Sequence, residues 1–308
     1  MINFRYHIVS LMAVFLALSV GIVIGVTLRP SVDSGLTQQA EQDRKTVQEL
    51  RAEIDRRNAL DKYREDYAAR VGPTITAGVL SGARVAMIVM PDAPSAVVNA
   101  IAKAVPIAGG EVTKTVRVDD SAFADTAPEK LDNALADYGQ ALGVGDNASA
   151  ATRLGTALGR AVLAKDPVAE DPVAKAIAKA LSGAGLIAVD GKSTEQAQLA
   201  IVVTAAAPTT APTADELAAH VQFDVALKDD AAGVVVAGPN SPDIEGTDVL
   251  AVRTDSSSVD LLSTVDVADL ASGVTTVPLA GKEQLLGRQG HYGALTGADA
   301  ATPELPVR

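Results

Sequence analysis

Residues 84–90 read Arg-Val-Ala-Met-Ile-Val-Met, an apolar, β-prone run bounded by Gly82 and Pro91. A run without polar alternation belongs in a sheet covered on both faces, because a strand with one wet face would alternate. Working outward, residues 96–105 have helical composition, and residues 111–118 alternate as Glu-Val-Thr-Lys-Thr-Val-Arg-Val with the valines on one face. Residues 186–189, 199–203, 234–237 and 249–253 are further short β-rich runs, with Ala-rich helical stretches between several of them; residues 264–266 read as another strand or turn. Strands alternating with helices predict an α/β head of three layers around a mostly parallel sheet. Aromatic residues make up only 3% of the chain, so Ala, Val, Leu and Ile must build its core.

The head is expected to span residues 73–308, with a helical insertion near 128–182 that the Asp166-Pro167 and Asp171-Pro172 pairs interrupt. Residues 205–212, Ala-Ala-Ala-Pro-Thr-Thr-Ala-Pro, read as a loop before a helix. Thr213 and Glu216 have the spacing of a capping box at that helix start. The triple Ser256 to Ser258 reads as a loop ahead of another helix.

Upstream, residues 31–72 read as a charged helical stalk. A heptad frame through Leu36, Ala40, Asp43, Val47, Leu50, Ile54, Arg57 and Asp61 puts apolar residues at five of eight seam positions, a short coiled-coil pattern. Glu41 with Lys45, Glu53 with Arg57 and Asp66 with Arg70 are i,i+4 pairs in the favourable order. Gly72 and Pro73 are expected to stop the helix. Leu36, Ala40, Val47, Leu50 and Ile54 are therefore the candidate seam for a partner helix.

Residues 8–28 form an uncharged apolar run, long enough as a helix to cross a hydrocarbon core of roughly 30 Å. The run exceeds an ordinary signal-peptide core, and Arg29-Pro30 stands where a cleavage site would need small residues, so residues 1–30 read as an uncleaved signal anchor. The chain is expected in the cell membrane, single-pass, with its head outside the cytoplasm. Ala13, Ala17, Gly21 and Gly25 recur every fourth residue and line one side of the helix, the smooth face on which membrane helices approach each other.

The charge is divided unevenly. Residues 1–71 hold 10 Lys and Arg against 9 Asp and Glu, whereas residues 72–308 hold 16 against 29, a net charge of −13. Such a head disfavours nucleic-acid binding. Without cysteine there is no disulfide, thiolate metal site or cysteine nucleophile. The soft and imidazole donors are Met1, Met12, Met87, Met90, His7, His220 and His291, and Met87 and Met90, three apart in a strand, should face opposite sides. Gly143-Val-Gly-Asp-Asn-Ala148 has the form G-x-G-x-x-A, yet the residues before it read as helix, so the strand that such a phosphate loop requires is missing. No cofactor, resident metal or catalytic residue is expected. His291, in Gly290-His-Tyr-Gly293, either meets a partner or locks the C-terminal region against the head. An enzymatic head is the minor alternative, since this fold class often binds ligands at strand carboxyl ends.

Ile2-Asn-Phe-Arg-Tyr-His7, the apolar run behind it, the short coiled-coil-like helix, the α/β head and the terminal Gly-His-Tyr-Gly together resemble the actinobacterial MctB family over essentially the whole chain. The resemblance implies one of two roles. Members carry the label of copper-transport or outer-membrane channel proteins, which would imply copper as cargo and an outer-membrane location. Corynebacterial members called SteB are described as paired with the membrane protein SteA in cell separation, acting on control of septal peptidoglycan hydrolases. An outer-membrane channel should be a closed barrel of many alternating strands. One apolar helix and short buried strands suit a scaffold instead, so the expected role is non-enzymatic: self-association, a SteA-like membrane partner and contact with a cell-wall hydrolase regulatory domain.

Overall fold

The computed structural model describes residues 4–145, 147–166, 168–191, 193–210, 212–241 and 245–305; the side chains of residues 4, 5 and 28–38 are outside that description. The chain divides into two compact units, Met1–Tyr63 and Arg64–Arg308. Helix α1, Phe4–Thr76, supplies all the described structure of the first unit and the opening residues of the second. Tyr6–Thr27 is long and apolar enough to cross a membrane, and none of it is buried.

Within the first unit, Glu53 accepts from Arg57 at 2.8 Å and from Arg56 at 2.7 Å, the geometry expected of side chains three and four residues apart on one helix face. Gly72 and Pro73 do not end α1, which continues to Thr76. The reason is tertiary. Gly72 is where the helix lies against Thr275, whose Oγ1 would stand 2.2 Å from a Cβ at position 72. The Thr76 hydroxyl donates to the Gly72 carbonyl at 3.1 Å, and the reversal waits for Gly78, at φ +76°.

The second unit is a three-layer α/β head. Its strands are β1 (Arg84–Val89), β2 (Glu111–Val118), β3 (Ile187–Asp190), β4 (Leu199–Val203), β5 (Gly233–Ala237), β6 (Ser263–Val265) and β7 (His291–Tyr292). They lie in the order β3-β2-β1-β4-β5-β6-β7, all parallel except β3, which runs antiparallel to β2 at the edge. Helix α2 (Ser95–Ile107) connects β1 to β2. Between β2 and β3 lie α3 (Ala127–Leu135), the single turn α4 (Gly139–Leu142), α5 (Ala150–Val162) and α6 (Pro172–Gly183). Helices α7 (Ala214–Asp230), α8 (Asp248–Thr254) and α9 (Ala271–Leu285) complete the later crossovers.

Strand β1 shows why its sequence is apolar throughout. Ala86, Ile88 and Met90 enter the core on one face with α3, α5, α6 and α7, while Val85, Met87 and Val89 enter the other with α2 and α9. Met87 and Met90 thus face opposite sides as packing residues. With so few aromatics, helices close on small residues: a Cβ at Gly155 of α5 would meet the Phe223 carbonyl of α7 at 2.5 Å. Each CH₂ buried in such a core is worth about 0.8 kcal/mol.

Two sequence expectations fail here. The run 249–253 is helix α8, not a strand; Thr247 caps it, accepting from Leu250 N at 3.2 Å, and Asp248 and Arg253 suit its two ends. The Ser256–Ser258 segment forms turns that lead to β6 rather than to a helix: Asp255 Oδ1 accepts from Ser257, and Ser258 donates to the Val252 carbonyl.

Candidate functional site

The order of the sheet reverses between β1 and β4: the chain leaves β1 for β2 on one side and later returns to β4 on the other. Because the two strands are parallel, their carboxyl ends share one edge while the loops after them diverge, opening a crevice. A cleft of about 490 Å³ occupies this place. Asp92 borders it from the β1 end, Ala205, Ala206, Pro208, Thr209 and Pro212 contribute one wall, and Glu216, His220, Thr247 and Asp248 line it from α7 and the start of α8. A second hollow of about 430 Å³ lies beyond the same Pro91-Asp92 turn, between the ends of β1 and β2.

The capping box predicted at Thr213 is present and positions the cleft's acidic wall. Glu216 N–H donates to Thr213 Oγ1 at 3.2 Å, and Thr213 N–H donates back to Glu216 Oε2 at 2.6 Å, holding the Glu216 carboxyl below its ordinary pKa. Four residues on, His220 Nδ1 lies 2.7 Å from Asp248 Oδ1. The Phe123 ring stands edge-on to the imidazole with centroids 4.4 Å apart, fixing its plane. His220 Nε2 takes no partner among the described residues.

One further turn along α7, Asp224 is 1% exposed, and its Oδ1 has no hydrogen-bond partner among the described residues. Burial, with the Asp248 carboxylate nearby, pushes its pKa well above the ordinary carboxylate range. Thr204, directly after β4, is likewise fully buried with an unpartnered Oγ1. Asp92 holds a left-handed conformation at φ +57°, which Asp tolerates better than most residues. The cleft is therefore an acidic recess with one oriented imidazole.

The Gly290–Gly293 motif lies elsewhere and is a lock. His291 Nδ1 is 3.0 Å from Thr264 Oγ1, and the Tyr292 hydroxyl donates to Glu283. Arg253 reaches this motif from α8, donating to Thr264 Oγ1 and Asp266 Oδ2, both at 2.8 Å, and to the Tyr292 carbonyl at 3.0 Å. Asp266 accepts in turn from the backbone N–H groups of Ala294 and Leu295. Burial lowers the His291 pKa and raises that of the Tyr292 hydroxyl, since it disfavours the charged form of each. The G-x-G-x-x-A stretch is no phosphate loop: Gly143, at φ +63°, ends α4, and the segment joins two helices.

On α1, Ala13, Ala17, Gly21 and Gly25 are all exposed, and a Cβ at either glycine would meet nothing within 4 Å. Ala40 is exposed, as are Val47, Leu50 and Ile54 at 45%, 57% and 54%; the Leu36 side chain lies outside the described residues. The sequence reading took Glu216 as a helix cap and His220 as one of the imidazole donors, and did not single out Asp224 or Asp248. The signal for three of them was available: they recur every fourth position from a capping box, which places titratable groups on one side of α7.

Comparison with known proteins gives the chain its relatives. The family model described as "Copper transport outer membrane protein, MctB" matches residues 1–303. Proteins named "Copper transporter MctB" from Mycobacterium tuberculosis and Mycobacterium bovis are 28% identical over 313 aligned residues, covering 98% of this chain and 99% of theirs. A match of this extent, carried through the N-terminal helix and the head alike, places the chain in the MctB family.

Proposed function

We propose that this protein is a bitopic envelope scaffold or regulator. Its membrane helix and the stalk after it pair with a second copy and with a SteA-like membrane partner, and the assembly supports cell separation by controlling septal peptidoglycan hydrolases. The observation that carries the reading is the apolar span Tyr6–Thr27 with its exposed small-residue ladder, followed by a helix whose apolar residues Val47, Leu50 and Ile54 are exposed on a single chain. Lipid supplies no hydrophobic drive between helices, so a smooth face allowing close backbone approach is the feature that association requires. The described strands build one sheet whose central strands are buried.

Copper transport across the envelope is the second reading, and the description of the family and the names of the relatives favour it. The donor set gives it less support. Copper(I) prefers thiolate and thioether ligands; the chain lacks cysteine, Met87 and Met90 are buried on opposite faces, and among the described residues no three His, Cys, Asp or Glu converge as a metal site. Deletion of the gene separates the two. The scaffold reading expects chained cells, unchanged copper content, and rescue by the full chain but not by one lacking residues 1–30. Normal septation in the deletion strain overturns it, and copper accumulation with normal septation establishes the second reading instead.

A further inference from the structure

We propose that Thr209 and Thr210, in the loop between β4 and α7, are acceptor sites for O-glycosylation by a neutral hexose. The inference goes beyond the scaffold reading and rests on one part of it, a bitopic chain with its head outside the cytoplasm.

Residues 205–212, Ala-Ala-Ala-Pro-Thr-Thr-Ala-Pro, combine small residues, threonine and proline, a composition that builds no core and is the usual setting of O-linked sugars. Composition does not choose among the hydroxyls; the structure does. The segment is tied down on both sides. Thr204 N–H donates to the Ala237 carbonyl at 3.0 Å and Ala207 N–H to Ser241 Oγ at 3.2 Å, while Thr213 and Glu216 fix the far end as the capping box of α7. Between these anchors Pro208 and Pro212 have no N–H to give. Thr209 and Thr210 are exposed, belong to no helix or strand, and make no hydrogen bond among the described residues. A transferase must reach an acceptor hydroxyl together with the backbone beside it, and this pair offers both.

Neighbouring hydroxyls show the contrast. Thr204 is fully buried, and the Thr213 hydroxyl donates to the Glu216 carboxyl at 2.9 Å. The serine triple, equally suited by composition, is engaged: Ser258 is buried and donates to the Val252 carbonyl, and Ser257 donates to Asp255. Thr302, although Pro303 follows it, has its Oγ1 buried. The surroundings also say which group is added. A phosphoryl group would bring negative charge toward Asp215 and Glu216 in a head of net charge −13, whereas a hexose adds bulk and hydration without charge. In the transfer, threonine Oγ1 bonds to the anomeric carbon of a lipid-linked glycosyl phosphate. The bond from that carbon to the phosphate oxygen breaks, the phosphate leaves with the electron pair, and the hydroxyl proton passes to a base of the transferase.

The test isolates the full chain from the membranes of its own cells and digests it with trypsin. Residues 193–228 form one tryptic peptide, which holds Thr194, Thr204, Thr209, Thr210 and Thr213. Electron-transfer fragmentation locates any added mass, and protease treatment of intact spheroplasts reports in parallel where the head lies. The proposal expects a hexose on Thr209, Thr210 or both in most copies of the chain, with the head cleaved from outside. Thr209→Ala with Thr210→Ala should remove the added mass from this peptide and leave Tm unchanged. An unmodified peptide from a head that is cleaved from outside overturns the proposal and leaves the placement standing. A head protected from the protease overturns the placement, and the proposal with it. Sugar on Thr194, Thr204 or Thr213 instead, or a phosphoryl group in place of the hexose, overturns the assignment.

Discussion

Arg253 and Asp266 form an ion pair at 2.8 Å with side chains 1% and 2% exposed; Arg253 donates from α8 to the Tyr292 and Thr296 carbonyls, and Asp266 accepts from the backbone N–H groups of Ala294 and Leu295. Lysine at position 253 would keep the charge but lose the planar fork that reaches Thr264, Asp266 and two carbonyls at once. Breaking such a buried pair costs about 3–5 kcal/mol, because the surviving charge is left uncompensated. Arg253→Met, which leaves Asp266 unpaired, should therefore lower the unfolding free energy of the full chain, read from urea denaturation, by about that amount, and Arg253→Lys by less. Parent-like stability would show that the C-terminal segment is held by other contacts.

Gly72 and Thr275 make the second close approach. A methyl group at position 72 would overlap the Thr275 hydroxyl, so Gly72→Ala should destabilise the head by about 1–3 kcal/mol, as overpacking does. Thr275→Ala frees the space. The double variant should recover most of the loss, and a double-mutant cycle on denaturation midpoints measures the coupling; purely additive losses would place the cost in the helix instead.

The same pair shows where the sequence could and could not be read. Gly72-Pro73 has the composition of a helix end, and only packing against α9, some 200 residues away, reveals that the glycine serves proximity. Residues 249–253 failed for the same reason: Val-Leu-Ala-Val suits a buried strand or a buried helix, and the Thr247 cap, not periodicity, decided it. By contrast β1, β4 and β5 were legible because continuous runs of Val, Ile and small apolar residues have few other uses, and β2 was legible from its alternation. The apolar N-terminal helix and the capping box are local signals and were read directly. The cleft was not, since Asp92, His220 and Asp248 meet only once the sheet order brings the β1 end beside α7 and α8.

The small-residue ladder on α1 yields a prediction of its own. Gly21 and Gly25 have open space around them in one chain, so isoleucine there costs the isolated helix little. In a paired helix the same side chains would hold the backbones apart. Gly21→Ile with Gly25→Ile should reduce disulfide-free chemical crosslinking of the full chain in membranes several-fold while leaving its insertion unchanged. Undiminished crosslinking would remove this face from the proposed self-association.

The pH dependence of stability sets two buried groups against each other. Burial holds the His291 pKa below its ordinary 6.5, so between the lowered value and 6.5 the unfolded chain binds more protons than the folded one. The stability that His291 contributes is complete above 6.5 and is lost as pH falls. Asp224 behaves oppositely. Its folded pKa is raised well above 3.8, so the folded chain holds the extra proton, and its contribution is complete below 3.8 and declines as pH rises through the raised value. Asp224→Asn removes that decline and should raise the urea midpoint at pH 8 relative to the parent. On the acid side it should make the loss between pH 6.5 and 5 steeper, because the opposing gain from Asp224 is then absent and the His291 loss is less offset. His291→Gln should flatten the acid side while leaving the alkaline decline in place. If the Asp224→Asn profile superimposes on the parent, Asp224 does not change protonation on folding between pH 5 and 8.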